Sequence, residues 1–250
     1  MRILFLANSN ELVPNPDGSP SRAELVREDL SPDFADVDIV VKAAWPTEKL
    51  PGIVGRWIDQ YEPDLVYINV AEYWCLYESV PLRIQRIFGR FGTPLATAGL
   101  KAADTPWLAH NRVFRNLQQL THLLVGGDTH FTPQEMVDCV MKCARVALQR
   151  EGVVVVVDGQ RGRRKFATTA PGLRRIERKR LAVHRMLQAE CARLHITYES
   201  DETPQWQVVA KSTLEVQRDG FHLGGTAQQH MEDEASALIR RAWAESHPTE

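Results

Sequence analysis

The stretch Val153–Gly159, VVVVVDG, places five valines in unbroken succession before an aspartate and a glycine end the run. β-Branched side chains favour extended backbone. A strand with one wet face alternates apolar and polar residues, whereas a run apolar at every position needs cover on both faces. That is the situation of a strand inside a parallel sheet. Four further runs share the character: RILFLA (Arg2–Ala7), VDIVVK (Val37–Lys42), DLVYINV (Asp64–Val70) and HITYES (His195–Ser200). Five covered strands are therefore expected.

Helical patterns separate them. IVGRWIDQY precedes the third run, while NRVFRNLQQLTHLL and TPQEMVDCVMKCARVALQRE precede the fourth. GLRRIERKRLAVHRMLQAECARL precedes the fifth, and GTAQQHMEDEASALIRRAWAE closes the chain. Thr132, Pro133 and Glu135 make a helix start, with a capping hydroxyl, a proline at the first position and an acid in the first turn. Strands alternating with helices are βαβ units, hence an α/β fold in three layers with a mostly parallel sheet. The expected organisation is one domain over residues 1–250, frayed at about 246–250.

Composition narrows the function. The 250 residues are 44% hydrophobic and 25% charged with a formal net charge of -2, which gives no global case for nucleic acid or an anionic membrane surface. No segment approaches the length of a membrane span, and the apolar run after Met1 is too short for a signal-peptide core. A cytoplasmic protein with reduced thiols is the expectation. The four cysteines have no framework spacing. Cys139 and Cys143 are spaced like neighbours on one helix face, and with no CxxC or HxxxH pair beside them no metal site is expected.

In parallel sheets wound in both directions, ligands sit beyond the carboxyl ends of the strands. The segments to search are NSNE, AAWPTEK, AEYW, GQRGRRK and whatever follows the last strand. Ser9 falls there, just past the first run; by position alone a turn or capping serine reads the same way. RDGFHLGGTAQQH adds Asp219 and His222, three residues apart before the closing helix. A serine, a histidine and an aspartate on one edge have the roles of a triad. The histidine takes the serine proton, and the aspartate fixes its tautomer and stabilises the imidazolium.

A serine motif after the first strand, the PDLV-type third strand in EPDLVYINVAEYW, and the D-x-x-H element in DGFHLGGTAQQH together resemble the SGNH (GDSL-type) hydrolases across essentially the whole chain. The resemblance implies a flavodoxin-like, doubly wound α/β/α fold of about five parallel strands, and a serine nucleophile attacking esters through an acyl-enzyme. It casts Ser9 as nucleophile, His222 as general base and Asp219 as its partner. This chain has Ala7-Asn8-Ser9 where the family has Gly-Asp-Ser, and KAAWPTEKLPG where a glycine N–H normally serves the oxyanion. Ala44 or Trp45 then supplies that backbone donor. The family's third-block asparagine is replaced by Tyr73, so Tyr73 or Asn69 is the expected side-chain donor. No metal or organic cofactor is implied. An acyltransferase using the same triad, and a non-catalytic ligand-binding protein on this fold, remain open.

The loop GQRGRRKF adds Arg161, Arg163, Arg164 and Lys165 near the same edge, and Arg174, Arg175, Arg178, Lys179 and Arg180 follow on a helix. A basic helix face is ordinarily solvated surface. Guanidiniums at a pocket rim would suit an acyl substrate that is anionic or carrier-bound. AEYWCLYESVPLRIQRIF reads mostly as a helix packed on the sheet, with Tyr73, Trp74 and Tyr77 nearest a pocket. Asp128 and His130 in VGGDTHFTP read as a loop entering a helix, and Gly126–Gly127 has no phosphate-loop pattern around it.

Overall fold

The computed structural model describes residues 1–7, 20–44, 47–70, 74–76, 78–89, 94, 127–129, 131–159, 170–200 and 225–248. All five apolar runs form strands: β1 (Arg2–Ala7), β2 (Asp38–Ala43), β3 (Leu65–Asn69), β4 (Val154–Asp158) and β5 (Thr197–Glu199). They make one sheet in the order β2-β1-β3-β4-β5, and every pairing is parallel. The chain steps from β1 to β2 on one side and then returns to place β3 on the other. The winding direction therefore reverses at β1 and β3, which locates the crevice where such sheets bind ligands.

Six helices lie among the described residues: α1 (Arg22–Leu30), α2 (Leu50–Tyr61), α3 (Val80–Phe88), α4 (Pro133–Leu148), α5 (Ala170–Arg193) and α6 (Gly225–Ser246). The residues gather into two compact units, Met1–Ala71 with Pro133–Glu250, and Glu72–Thr132.

In the first unit, successive strand residues point to opposite faces, and both faces of the three central strands, β1, β3 and β4, are dry. Ile3, Phe5, Leu65, Tyr67, Val154 and Val156 share one cluster with Val26 and Leu30 of α1 and with Ala235, Leu238, Ile239 and Ala242 of α6. The alternate residues Leu4, Leu6, Val66, Ile68, Val155 and Val157 are buried as well, and α2, α4 and α5 remain to cover them. Gly55 lets two of these helices close up, since a Cβ there would stand 3.2 Å from Val146 Cγ1. The three-layer expectation and the five parallel strands are what the structure shows.

Apolar periodicity does not announce α1. Its sequence RAELVREDL is mostly polar, and the sequence reading assigns no helix there. The helix is written in its start instead. Ser21 accepts from the Glu24 N–H, and Glu24 reaches back to the Ser21 N–H at 2.7 Å, a complete capping box. α4 begins at Pro133 with Glu135 in its first turn, as the sequence predicts. The helix expected over NRVFRNLQQLTHLL lies outside the described residues.

In the second unit, Ser79 and Asp128 form an antiparallel bridge. Gly127 is pressed against Glu78, whose Cβ would stand 2.8 Å from an added methyl. The Asp128 carboxylate receives Arg83 at 3.6 Å and Arg86 at 3.7 Å from α3. Asp128 thus ties its loop to α3.

Candidate active site

The carboxyl edge of the sheet is built by strand ends. β1 stops at Ala7 and β3 at Asn69, with Asn69 in register with Asp158 at the end of β4. Beyond the strands the ladders continue for one bond each. The Ala44 N–H donates to the Ala7 carbonyl at 2.9 Å, and the Val70 N–H to the Asp158 carbonyl at 2.9 Å. Ala44 is buried and its N–H is held by the sheet; it does not point to a ligand.

Asn69 is buried at the end of β3, beside the reversal of winding. Strand alternation places it on the same face as Tyr67 and Asp158. That face carries a buried ion pair. The Tyr67 hydroxyl donates to Asp158 Oδ2 at 2.7 Å, and Arg22 Nη2 reaches the same oxygen at 3.2 Å and the Tyr67 hydroxyl at 3.1 Å. The side chains of Arg22 and Asp158 are 2% and 1% exposed. The guanidinium also lies 5.5 Å from the Phe5 ring centroid and 5.8 Å from that of Tyr67, two rings that stack at 4.3 Å. A cation over aromatic faces gains from their quadrupoles when water is excluded.

At the β4–β5 side of the edge, Gly159 follows Asp158 and donates to the Glu199 carbonyl at 2.6 Å. A Cβ at Gly159 would meet Ser200 Cβ at 2.5 Å and the Tyr198 hydroxyl at 2.7 Å, so only glycine passes there. Tyr198 is hydrogen-bonded to His184 Nδ1 at 3.0 Å, and burial holds its hydroxyl well above the usual phenol range.

The far end of α6 fixes its direction. Glu245, near its C-terminus, accepts from Thr197 at the amino end of β5 at 2.6 Å, and Arg240 pairs with Asp29 and Asp33 at the end of α1. α6 therefore runs antiparallel to the strands, and the chain enters it from the carboxyl edge. Cys139 and Cys143 share α4 and are buried. A hydrogen bond between them draws the Cys139 thiol down and pushes the Cys143 thiol up. Among the described residues no cluster of three or more His, Cys, Asp or Glu side chains is placed to hold a metal ion, and no helix is long and apolar enough to cross a membrane.

Of the expected site residues, Ala44 and Asn69 are described, and both lie at this edge. Ser9, Asp219, His222, Trp45 and Tyr73 lie outside the described residues, as do Arg161, Arg163, Arg164 and Lys165. Arg22, Tyr67 and Asp158 escaped the sequence reading. The one signal is an aspartate ending an otherwise all-valine strand.

No family model and no curated protein matches the chain. Solved structures do. TesA superposes with a TM-score of 0.58 at 13% identity, over 97% of this chain and 99% of its own. The psychrotrophic esterase EstA from Pseudoalteromonas sp., a structure inhibited by monoethylphosphonate, gives 0.55 at 12% identity over 98% of both chains. A GDSL-like lipase candidate from Parabacteroides merdae gives 0.50 at 11% identity over 95% of both. Identities this low speak for architecture alone: the chain has the three-layer α/β/α fold of the SGNH/GDSL-type esterases and lipases.

Proposed function

We propose that this chain is a single-domain serine hydrolase that cleaves carboxylic esters through an acyl-enzyme. Ser9 is the nucleophile, His222 its general base and Asp219 the carboxylate that orients the imidazole. The observation that carries the reading is that β1 ends and α6 begins at the same edge of the sheet. Ser9 comes two residues after Ala7, the end of β1, at the reversal of winding. His222 comes three residues before Gly225, where the chain enters α6 from that same edge. The likeness to esterases over nearly the full length adds support.

For the oxyanion, the Ser9 N–H and the Trp45 N–H are the backbone donors of this reading, because the Ala44 N–H is held in the ladder. Asn69 supplies the side-chain amide from the buried end of β3. Four thiols, none in a disulfide, suit a reducing compartment such as the cytoplasm.

The substrate in this reading is a small ester with an anionic group. Ten of the chain's 30 Lys and Arg residues lie between positions 161 and 185, against a single acid, Glu177. Glu177 is already held by the buried Arg180, at 2.7 Å. The first half of α5 thus carries exposed cations at Arg174, Arg175 and Arg178 with no acid in its first turn. Arg174 and Arg178 repel each other at i,i+4 spacing, a cost of a few tenths of a kcal/mol. An anion arriving at the edge offsets it.

Labelling by a fluorophosphonate tests the nucleophile. Wild type labels, Ser9→Ala does not, and His222→Ala labels far more slowly. A folded wild type that stays unlabelled from mildly acidic to alkaline pH would sink the reading in favour of a binding protein.

A further inference from the structure

Arg22 is a charged side chain in a place where stability does not ask for one. Exchanging a buried ion pair for apolar residues of similar volume is often neutral or stabilising, because desolvating two charges offsets most of their attraction. What a planar guanidinium provides here is direction. From the first position of α1 it reaches Asp158 at the end of β4 and the Tyr67 hydroxyl of β3, with its Cζ 5.5 Å from the Phe5 ring centroid and 5.8 Å from that of Tyr67. One side chain thereby fixes the start of α1 to the carboxyl ends of two strands and to the ring carried by β1.

The chain between Ala7 and Arg22 is the connection that bears Ser9. Its upstream end is held by β1, in register with β2 and β3. Its downstream end is held by the capping box of Ser21 and Glu24 and by Arg22. The capping box orders the helix turn but ties it to nothing outside α1. Arg22 adds, at the first residue of α1, a polar tie to the sheet beyond the apolar packing of Val26 and Leu30.

We propose that Arg22 is a positioning residue, which through Asp158 and Tyr67 sets the downstream end of the connection carrying Ser9. The functional part of this proposal rests on Ser9 being the nucleophile. Reacting atoms need placement to within a fraction of an ångström, and a shift of about 1 Å can cost on the order of a hundredfold in rate. An anchor made of one guanidinium nitrogen shared between a carboxylate and a phenol hydroxyl resists such a shift better than an apolar contact, which has no preferred direction.

The test uses the full chain as wild type, Arg22→Met, Arg22→Lys and the double variant Arg22→Met/Asp158→Asn, which leaves no unpaired buried charge and keeps the experiment alive if the single variant fails to fold. Two readouts are taken on variants with a native circular-dichroism spectrum: hydrogen exchange of the peptide covering residues 8–20, and the second-order rate of fluorophosphonate labelling. The expected result in the double variant is exchange at least about tenfold faster in that peptide with the β3 and β4 peptides unchanged. Labelling slows by about tenfold or more, and Arg22→Lys restores part of both. Unchanged exchange in residues 8–20 overturns the proposal, and so does faster exchange with an unchanged labelling rate. A wild type that does not label at all removes Ser9 as nucleophile, and the exchange result alone then decides whether Arg22 is the anchor.

Discussion

Arg22 Nη2 lies 3.2 Å from Asp158 Oδ2, an ion pair joining the first residue of α1 to the last residue of β4 with both side chains out of water. The two residues are 136 positions apart. Their partner Tyr67 stands on the strand between β1 and β4, so the pair spans the middle of the sheet at its carboxyl edge.

Removing one member of this pair takes a counterion away from a buried charge. Arg22→Met should therefore lower stability by about 3–5 kcal/mol, whereas Arg22→Met/Asp158→Leu should recover most of the loss. Urea unfolding of the three proteins measures both values. A single variant within about 1 kcal/mol of wild type would show that water reaches the site.

Ser9→Ala should abolish ester turnover, and Asp219→Asn should lower kcat steeply while leaving the fold intact, because an amide no longer fixes the productive tautomer of His222. The size expected for that change is up to about ten-thousandfold, the figure known for the analogous change in a serine-protease triad. Steady-state assays on a short-chain 4-nitrophenyl ester read it, and a threefold change or less would remove Asp219 from the role.

Asn69→Ala should cost kcat on the order of a hundredfold to a thousandfold with little change in KM, as expected when one oxyanion donor is lost. A change confined to KM would make Asn69 a ground-state contact instead.

Anionic esters should be preferred, and the preference should be electrostatic. kcat/KM for 4-nitrophenyl hemisuccinate should fall as salt rises from about 10 mM to 1 M, because the Debye length shrinks from about 30 Å to 3 Å. The neutral butyrate ester should show no such slope. Arg174→Glu/Arg178→Glu, two exposed positions, should remove the slope for the anionic ester. Equal salt profiles for the two esters in wild type would contradict the assignment.

Acid stability should depend on the clamp between α1 and α6. The Arg240 hydrogen bond holds the Asp29 carboxyl below its ordinary range, despite the opposing effect of partial burial. A folded-state pKa lower than the unfolded one gives stability that is present above the unfolded value and lost as pH falls through the folded one. The affected window lies below about pH 4. Arg240→Gln should flatten the stability curve in that window and leave its shape near neutrality unchanged. The effect is modest, because Asp29 and Arg240 are both more than one-third exposed. Thermal melts at closely spaced pH values check it.

Much of the fold was legible because its signals are local. Five apolar runs read as strands, and each became one within two residues of the expected bounds, although β2 and β5 at the sheet's edges are only partly covered. Thr132-Pro133 announced α4, but α1 went unread, since its polar sequence gives no periodicity and only Ser21 and Glu24 mark it. At the candidate site, the sequence named Asn69 at the end of a strand, and the structure places it at the buried end of β3. The committed ladder bond of Ala44 was invisible, because whether an N–H serves a sheet or a ligand depends on which carbonyl comes to face it.

The sequence by itself determined the strand count, the parallel sheet and the order of the elements, all consequences of side-chain periodicity and turn chemistry within a dozen residues. Tertiary structure alone decided that Arg22, Tyr67 and Asp158 are one unit, and that Gly159 must be glycine because Ser200 and Tyr198 close over it. The physical reason is the same in both cases. A buried charge and a missing Cβ take their meaning from neighbours that are distant in the chain, and only the winding of the sheet brings those neighbours within 3 Å or so of each other.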